Sequence, residues 1–143
     1  MTAPLASPPA TSSLIRPALG LLAGLGITAL IVGPGIIIAT LAMLRGVDPH
    51  TFRPSPANLV VYLAINAVGA FVGGVATGRI TAGRSFYTVF LLALVLFMSA
   101  MVLVLRAQDP AQAGPQWYTI GQAITVLVAA LLGGITERRL ATR

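Results

Sequence analysis

The sequence predicts an all-α integral membrane protein, a bundle of four transmembrane helices. Three observations predict it. Only 8% of the 143 residues are charged while 57% are hydrophobic, whereas a soluble domain carries about a quarter charged residues. Such a chain cannot clothe a surface that faces water. Four apolar runs follow one another, three of them close to the ~20 helical residues that a ~30 Å hydrocarbon core requires. The nine basic residues, all Arg, stand at the ends of these runs and in the short connections between them, where they orient helices in a bilayer.

The N-terminal stretch Met1 to Ser13 is rich in Pro, Ala, Ser and Thr and lacks apolar periodicity. Residues 1–16 therefore read as a disordered tail, followed by a membrane domain over 17–140 and a short tail over 141–143. The first span, Pro17–Leu44, is too long for the apolar core of a signal peptide and is followed by no polar mature domain. It is also longer than an upright helix needs, and it holds Gly33-Pro34-Gly35. There the proline removes a backbone donor and the glycines loosen the turn, so a kink is expected. The second span is Ala57–Gly78, the third Phe86–Leu105 and the fourth Trp117–Thr136.

Two of the three connections, from Arg45 to Pro56 and from Arg106 to Gln116, are rich in proline and hold both aspartates; Arg79 to Ser85 is tighter. One side of the membrane then collects six arginines, from the N-terminal side, the middle connection and the C-terminal tail, against three on the other. The excess of arginine on cytoplasmic loops places both termini in the cytoplasm. Trp117 and Tyr118 at one interface and Phe86 and Tyr87 at the other suit aromatic belts. Arginine without lysine, in an alanine-rich chain, points to a GC-rich bacterial genome and thus to the bacterial inner membrane.

The two halves resemble each other. Ala39 to Pro49 (ATLAMLRGVDP) matches Ala100 to Pro110 (AMVLVLRAQDP) at an offset of 61, and Ala70 to Arg79 (AFVGGVATGR) matches Ala130 to Arg139 (ALLGGITERR) at an offset of 60. The chain then reads as two helical hairpins in parallel repeat, related by a pseudo-twofold axis along the membrane normal.

The second span carries the most informative face. Tyr62, Asn66, Gly69, Gly73 and Thr77 recur at helical spacing, with Gly74 beside them. The fourth span repeats this more softly with Tyr118, Gln122, Thr125, Ala129 and Gly133, and the first offers Gly20, Gly24 and Thr28. Small residues at every fourth position let helix backbones approach, and this drives association in lipid, where hydrophobicity cannot. The third span is bulky and aliphatic with Ser99 as its one mid-span polar side chain, so it is expected to face more lipid than the other three, which supply the interior or an oligomer seam. Asn66 and Gln122 need partners inside the hydrocarbon. An interhelical hydrogen bond between the second and fourth spans, worth ~0.6–2 kcal/mol, meets that need more simply than a polar pathway for a solute.

No ionisable residue falls within the spans, which removes the usual mark of ion or proton coupling. The chain is similar to small multidrug transporters in size and helix count, but those depend on a glutamate in the first helix, and the first span has none. Small fluoride channels also have four helices and a polar Asn, but their glycine–arginine and phenylalanine pattern is not legible here. Arg45 with Asp48 and Arg106 with Asp109 form a repeated Leu-Arg-x-x-Asp-Pro element, read as a helix end followed by an Asp-Pro turn. His50 beside Asp48 lacks the further ligands a metal needs. Glu137 lies among Arg138 and Arg139 as an interfacial cluster within reach of Arg84. The high pI near 11.5 does not indicate nucleic-acid binding, because the cations form no stripe with interleaved aromatics.

Catalytic, cofactor and metal sites are therefore not expected, and no hydroxyl has a base near it in sequence. The expected role is that of an accessory, assembly or interaction subunit in contact with the bilayer, forming homo-oligomers or joining a larger membrane complex. A small oligomeric transporter or channel with a weakly polar path along the second and fourth spans is the alternative.

Overall fold

A computed structural model of the protein describes residues 11–46, 48, 52–81, 86–106 and 115–141. It is all-α, with four helices in chain order: α1 Thr11–Met43, α2 Pro56–Ile80, α3 Phe86–Arg106 and α4 Gln116–Ala141. In α1, α2 and α4 the segments Ile15–Met43, Pro56–Ile80 and Gln116–Ala141 are long and apolar enough to cross a membrane, whereas the apolar stretch of α3, Phe86–Val102, is shorter. The chain is thus a small helical protein whose candidate spans imply contact with lipid.

Local chemistry explains where the helices begin and end. α1 starts six residues before the expected Pro17 and continues without interruption through both Pro17 and Pro34. A proline inside a helix leaves one carbonyl without its donor, and a helix running through lipid tolerates it where the surroundings compensate. After Met43 the chain turns through Gly46, whose φ of +81° favours glycine and suits a helix C-terminus. α2 begins with Ser55 as N-cap, its side chain accepting from the Asn58 amide at 3.3 Å, and Pro56 follows where a missing amide costs nothing. It closes on Thr81, whose hydroxyl donates to the carbonyls of Thr77 (2.9 Å) and Gly78 (3.1 Å). α4 extends beyond the expected Thr136 into Arg138 and Arg139, cations that suit the negative end of the helix dipole.

α2 is the central helix. It packs closely along both α1 and α4, while α3 packs chiefly on α4 and touches α1 and α2 as well. Between the described parts of α1 and α4 there is no packing. A small cluster of Ala70, Ala93, Val126 and Ala130 fills the place where α2, α3 and α4 meet.

This arrangement corrects one expectation. α3 is not the helix that faces most lipid, because Val89, Leu92, Ala93 and Ala100 are buried and Leu92 is fully enclosed. The most peripheral helix is α1, with only 11% of its apolar 18-residue stretch buried. Bulk misled the sequence reading, since a leucine serves equally well against lipid and against another helix, and overall apolarity does not tell the two apart. Ser99 is exposed, and its hydroxyl is satisfied by the Val95 carbonyl of its own helix at 2.8 Å.

Candidate functional site

The residues singled out on α2 lie along two seams, one against α1 and one against α4. Along the first, α1 presents Gly20, Gly24 and Thr28 and α2 presents Gly69, Gly73 and Thr77. The two helices therefore carry the same Gly-x3-Gly-x3-Thr spacing and run in opposite directions. Gly20 opposes Thr77, Gly24 opposes Gly73, and Thr28 opposes Gly69. Each threonine thus meets a glycine of the other helix. The Thr77 hydroxyl donates to the Gly20 carbonyl at 2.9 Å. The Thr28 hydroxyl lies 2.8 Å from the Gly24 carbonyl of its own helix and 3.2 Å from the Gly69 carbonyl across the seam.

The glycines make these bonds possible. A Cβ on Gly73 would overlap the Thr28 hydroxyl and stand 2.7 Å from the Gly24 carbonyl oxygen; a Cβ on Gly24 would overlap the Thr77 hydroxyl and stand 2.9 Å from the Gly73 oxygen. Backbones this close bring a short threonine side chain within reach of the facing carbonyl. Each such bond is worth roughly 0.6–1.7 kcal/mol in a membrane protein. The seam continues outward, where Gly35 admits Ile65 (2.7 Å from an added Cβ) and Gly69 admits Val32 (2.5 Å). It ends at a 2.8 Å hydrogen bond between Thr40 and Tyr62. Of the expected kink residues, Gly33 and Pro34 face outward, whereas Gly35 is a packing position.

The second seam joins α2 to α4, which run in the same direction. Gly74 lies on the backbone carbonyl of Ala130, and Gly133 lies on the backbone carbonyl of Phe71. At the arginine-rich end Gly78 meets Glu137, 3.3 Å from an added Cβ, and Gly134 receives the side chain of Val89 from α3. Gly73, Gly74 and Gly133 are all buried.

The polar residues are arranged more locally than expected. Asn66 is buried, and its side-chain amide donates to the Tyr62 carbonyl of its own helix at 2.7 Å. Gln122 and Thr125 on α4 are half-buried, and no hydrogen bond described for Asn66 crosses to Gln122. Among the described residues, every buried side-chain nitrogen or oxygen has a partner. Trp117 and Tyr118 meet edge to face at 6.1 Å, and Trp117, Phe86 and Tyr87 are exposed near helix starts.

Arg45 and Asp48 are exposed beyond the end of α1. The repeated element cannot be compared as a pair, because Arg106 ends α3 while Asp109 lies outside the described residues, as do His50, Arg84 and the first ten residues. No three His, Cys, Asp or Glu side chains gather into a metal-binding group among the described residues.

Both triads stand in the sequence, and the structure pairs them. The signal was present, since identical Gly-x3-Gly-x3-Thr spacing on consecutive apolar helices is what an antiparallel seam with reciprocal threonine bonds requires. No family model, curated protein or solved structure matches this chain.

Proposed function

We propose that this protein is a non-enzymatic four-span subunit of the bacterial inner membrane, which associates with copies of itself or with a larger membrane complex. The observation that carries the reading is the exposure of α1. Leu19, Leu22, Leu30, Ile37, Ile38 and Leu41 are all more than half exposed, and Gly26 and Gly33 have open space where a Cβ would stand. The chain's own helices are already joined through their other glycines, so this face is left for lipid or another protein. The decisive experiment is purification from native membranes in mild detergent, with crosslinking. A monomer that captures no partner would remove the support for an assembly role.

In this reading α3 is the fourth span. Its 21 residues reach ~31 Å at ~1.5 Å per residue, matching the hydrocarbon core. Both termini face the cytoplasm. The two hairpins descend from a duplication, and one feature of the α2–α4 seam favours this: shifting Phe71 and Gly74 by 59 gives Ala130 and Gly133, so the two glycine contacts exchange helices. That shift is one residue short of the repeat offset of 60 in the sequence.

A transport reading rests on the polar side chains toward the outer half of the bundle, where Tyr62 and Asn66 are buried and Thr40 bonds Tyr62. Its test is solute or ion flux into liposomes, compared between the natural chain and an Asn66→Leu, Gln122→Leu variant. Absence of flux from both would exclude it.

A further inference from the structure

We propose that the arginine-rich end of the bundle binds the phosphodiester of anionic phospholipids, with Arg79 as the principal contact. The inference rests on the membrane-spanning reading above and adds a ligand class to it.

Arg79 is exposed in the last turn of α2. It continues a strip on the face of α2 away from the two glycine seams, through Ala64, Val68 and Val72, all exposed. One leaflet of hydrocarbon is ~15 Å deep, or about ten helical residues. An acyl chain lying along Val68 and Val72 therefore brings its headgroup phosphate to the level of Arg79. The neighbouring helices place further cations at this level. Gly20 of α1 meets Thr81, which sets Arg16 one turn beyond, and Gly78 meets Glu137, which sets Arg138 and Arg139 alongside. Arg16, Arg79, Arg138 and Arg139 are all exposed, and Glu137 is the one acidic residue among the described residues at this end. Exposed Ile15, Leu19, Ile80 and Leu140 surround them with apolar surface. Cations standing on an apolar collar match a molecule with an anionic head and hydrocarbon tails. At the opposite end Arg45 and Arg53 are accompanied by Asp48.

Each arginine near an anionic surface contributes about fivefold in affinity. The test reconstitutes the full chain in vesicles and measures the association of spin-labelled phosphatidylglycerol relative to spin-labelled phosphatidylcholine. Extraction at alkaline pH first shows whether the chain is embedded; release into solution would overturn the spanning reading and this proposal together. With embedded protein, the expected result is a preference of several-fold for phosphatidylglycerol that weakens in high salt. Arg79→Gln and Arg16→Gln each lower it, Arg79→Gln by up to about fivefold, while Arg45→Gln, at the end that Asp48 shares, lowers it less. Equal association of the two lipids, or equal effects of Arg79→Gln and Arg45→Gln, would overturn the lipid proposal alone. Displacement of phosphatidylglycerol by inorganic phosphate at matched ionic strength would also overturn it, by assigning the arginines to a soluble anion.

Discussion

The seam between α1 and α2 makes a sharp prediction for Gly73→Ala. The added methyl would overlap the Thr28 hydroxyl and lie 2.7 Å from the Gly24 carbonyl oxygen. Thr28 can rotate, but the carbonyl belongs to a helix backbone, so α1 and α2 must separate by roughly half an ångström to restore ordinary contact. Overpacking of this kind costs about 1–3 kcal/mol. Separation also lengthens the Thr28 and Thr77 bonds to the facing carbonyls, now 3.2 and 2.9 Å, each worth roughly 0.6–1.7 kcal/mol. The gain in helix propensity from Gly to Ala returns up to about 1 kcal/mol. The net expectation is a loss of about 2 kcal/mol. The control is Gly26→Ala in α1, where a Cβ meets nothing within 4 Å and the propensity gain stands alone. Unfolding by titration with a denaturing detergent, followed by circular dichroism, measures both variants. If Gly73→Ala is as stable as Gly26→Ala, the close seam and the reasoning built on it are wrong.

Other outcomes follow from the same contacts. Thr77→Val keeps the branched shape but removes the donor to Gly20, and should lower stability in the same titration by about 1 kcal/mol; no change would mean the bond contributes nothing. Gly133→Ala sets a methyl against the Phe71 carbonyl and 3.0 Å from the Val75 nitrogen. Since both obstacles are backbone, the expected loss is about 3 kcal/mol, and a neutral result would place α2 and α4 farther apart. Tyr62→Phe breaks the bond to Thr40, and a loss of about 1 kcal/mol is expected in the same measurement. The chain has no cysteine, so single cysteines at Ser7, Ser55 and Thr142 can be labelled from outside intact cells. The proposed topology expects reaction at Ser55 alone, and labelling at Ser7 or Thr142 would reverse it.

The helices were legible because their signals are local. Apolar runs of helical length mark all four, and arginines stand at their ends. Partners were harder to read. Asn66 looked like an interhelical donor because an amide in hydrocarbon must be satisfied, yet a carbonyl four residues back in its own helix satisfies it, and sequence alone cannot distinguish the two. Gly35, beside Pro34, reads in sequence as loosening a turn, but its lack of a Cβ admits Ile65.

By itself, the sequence determined a helical chain too poor in charge to face water, with small residues spaced to bring helices together. Hydropathy and cap chemistry act over a few residues, so one strand of sequence suffices to express them. Only the tertiary structure decided that α2 is central, that α1 rather than α3 is peripheral, and which glycine opposes which threonine. Those choices depend on direction and register between helices. Lipid and protein are nearly equivalent surroundings for an aliphatic side chain, so only the close backbone contacts and the bonds they permit distinguish one arrangement from another.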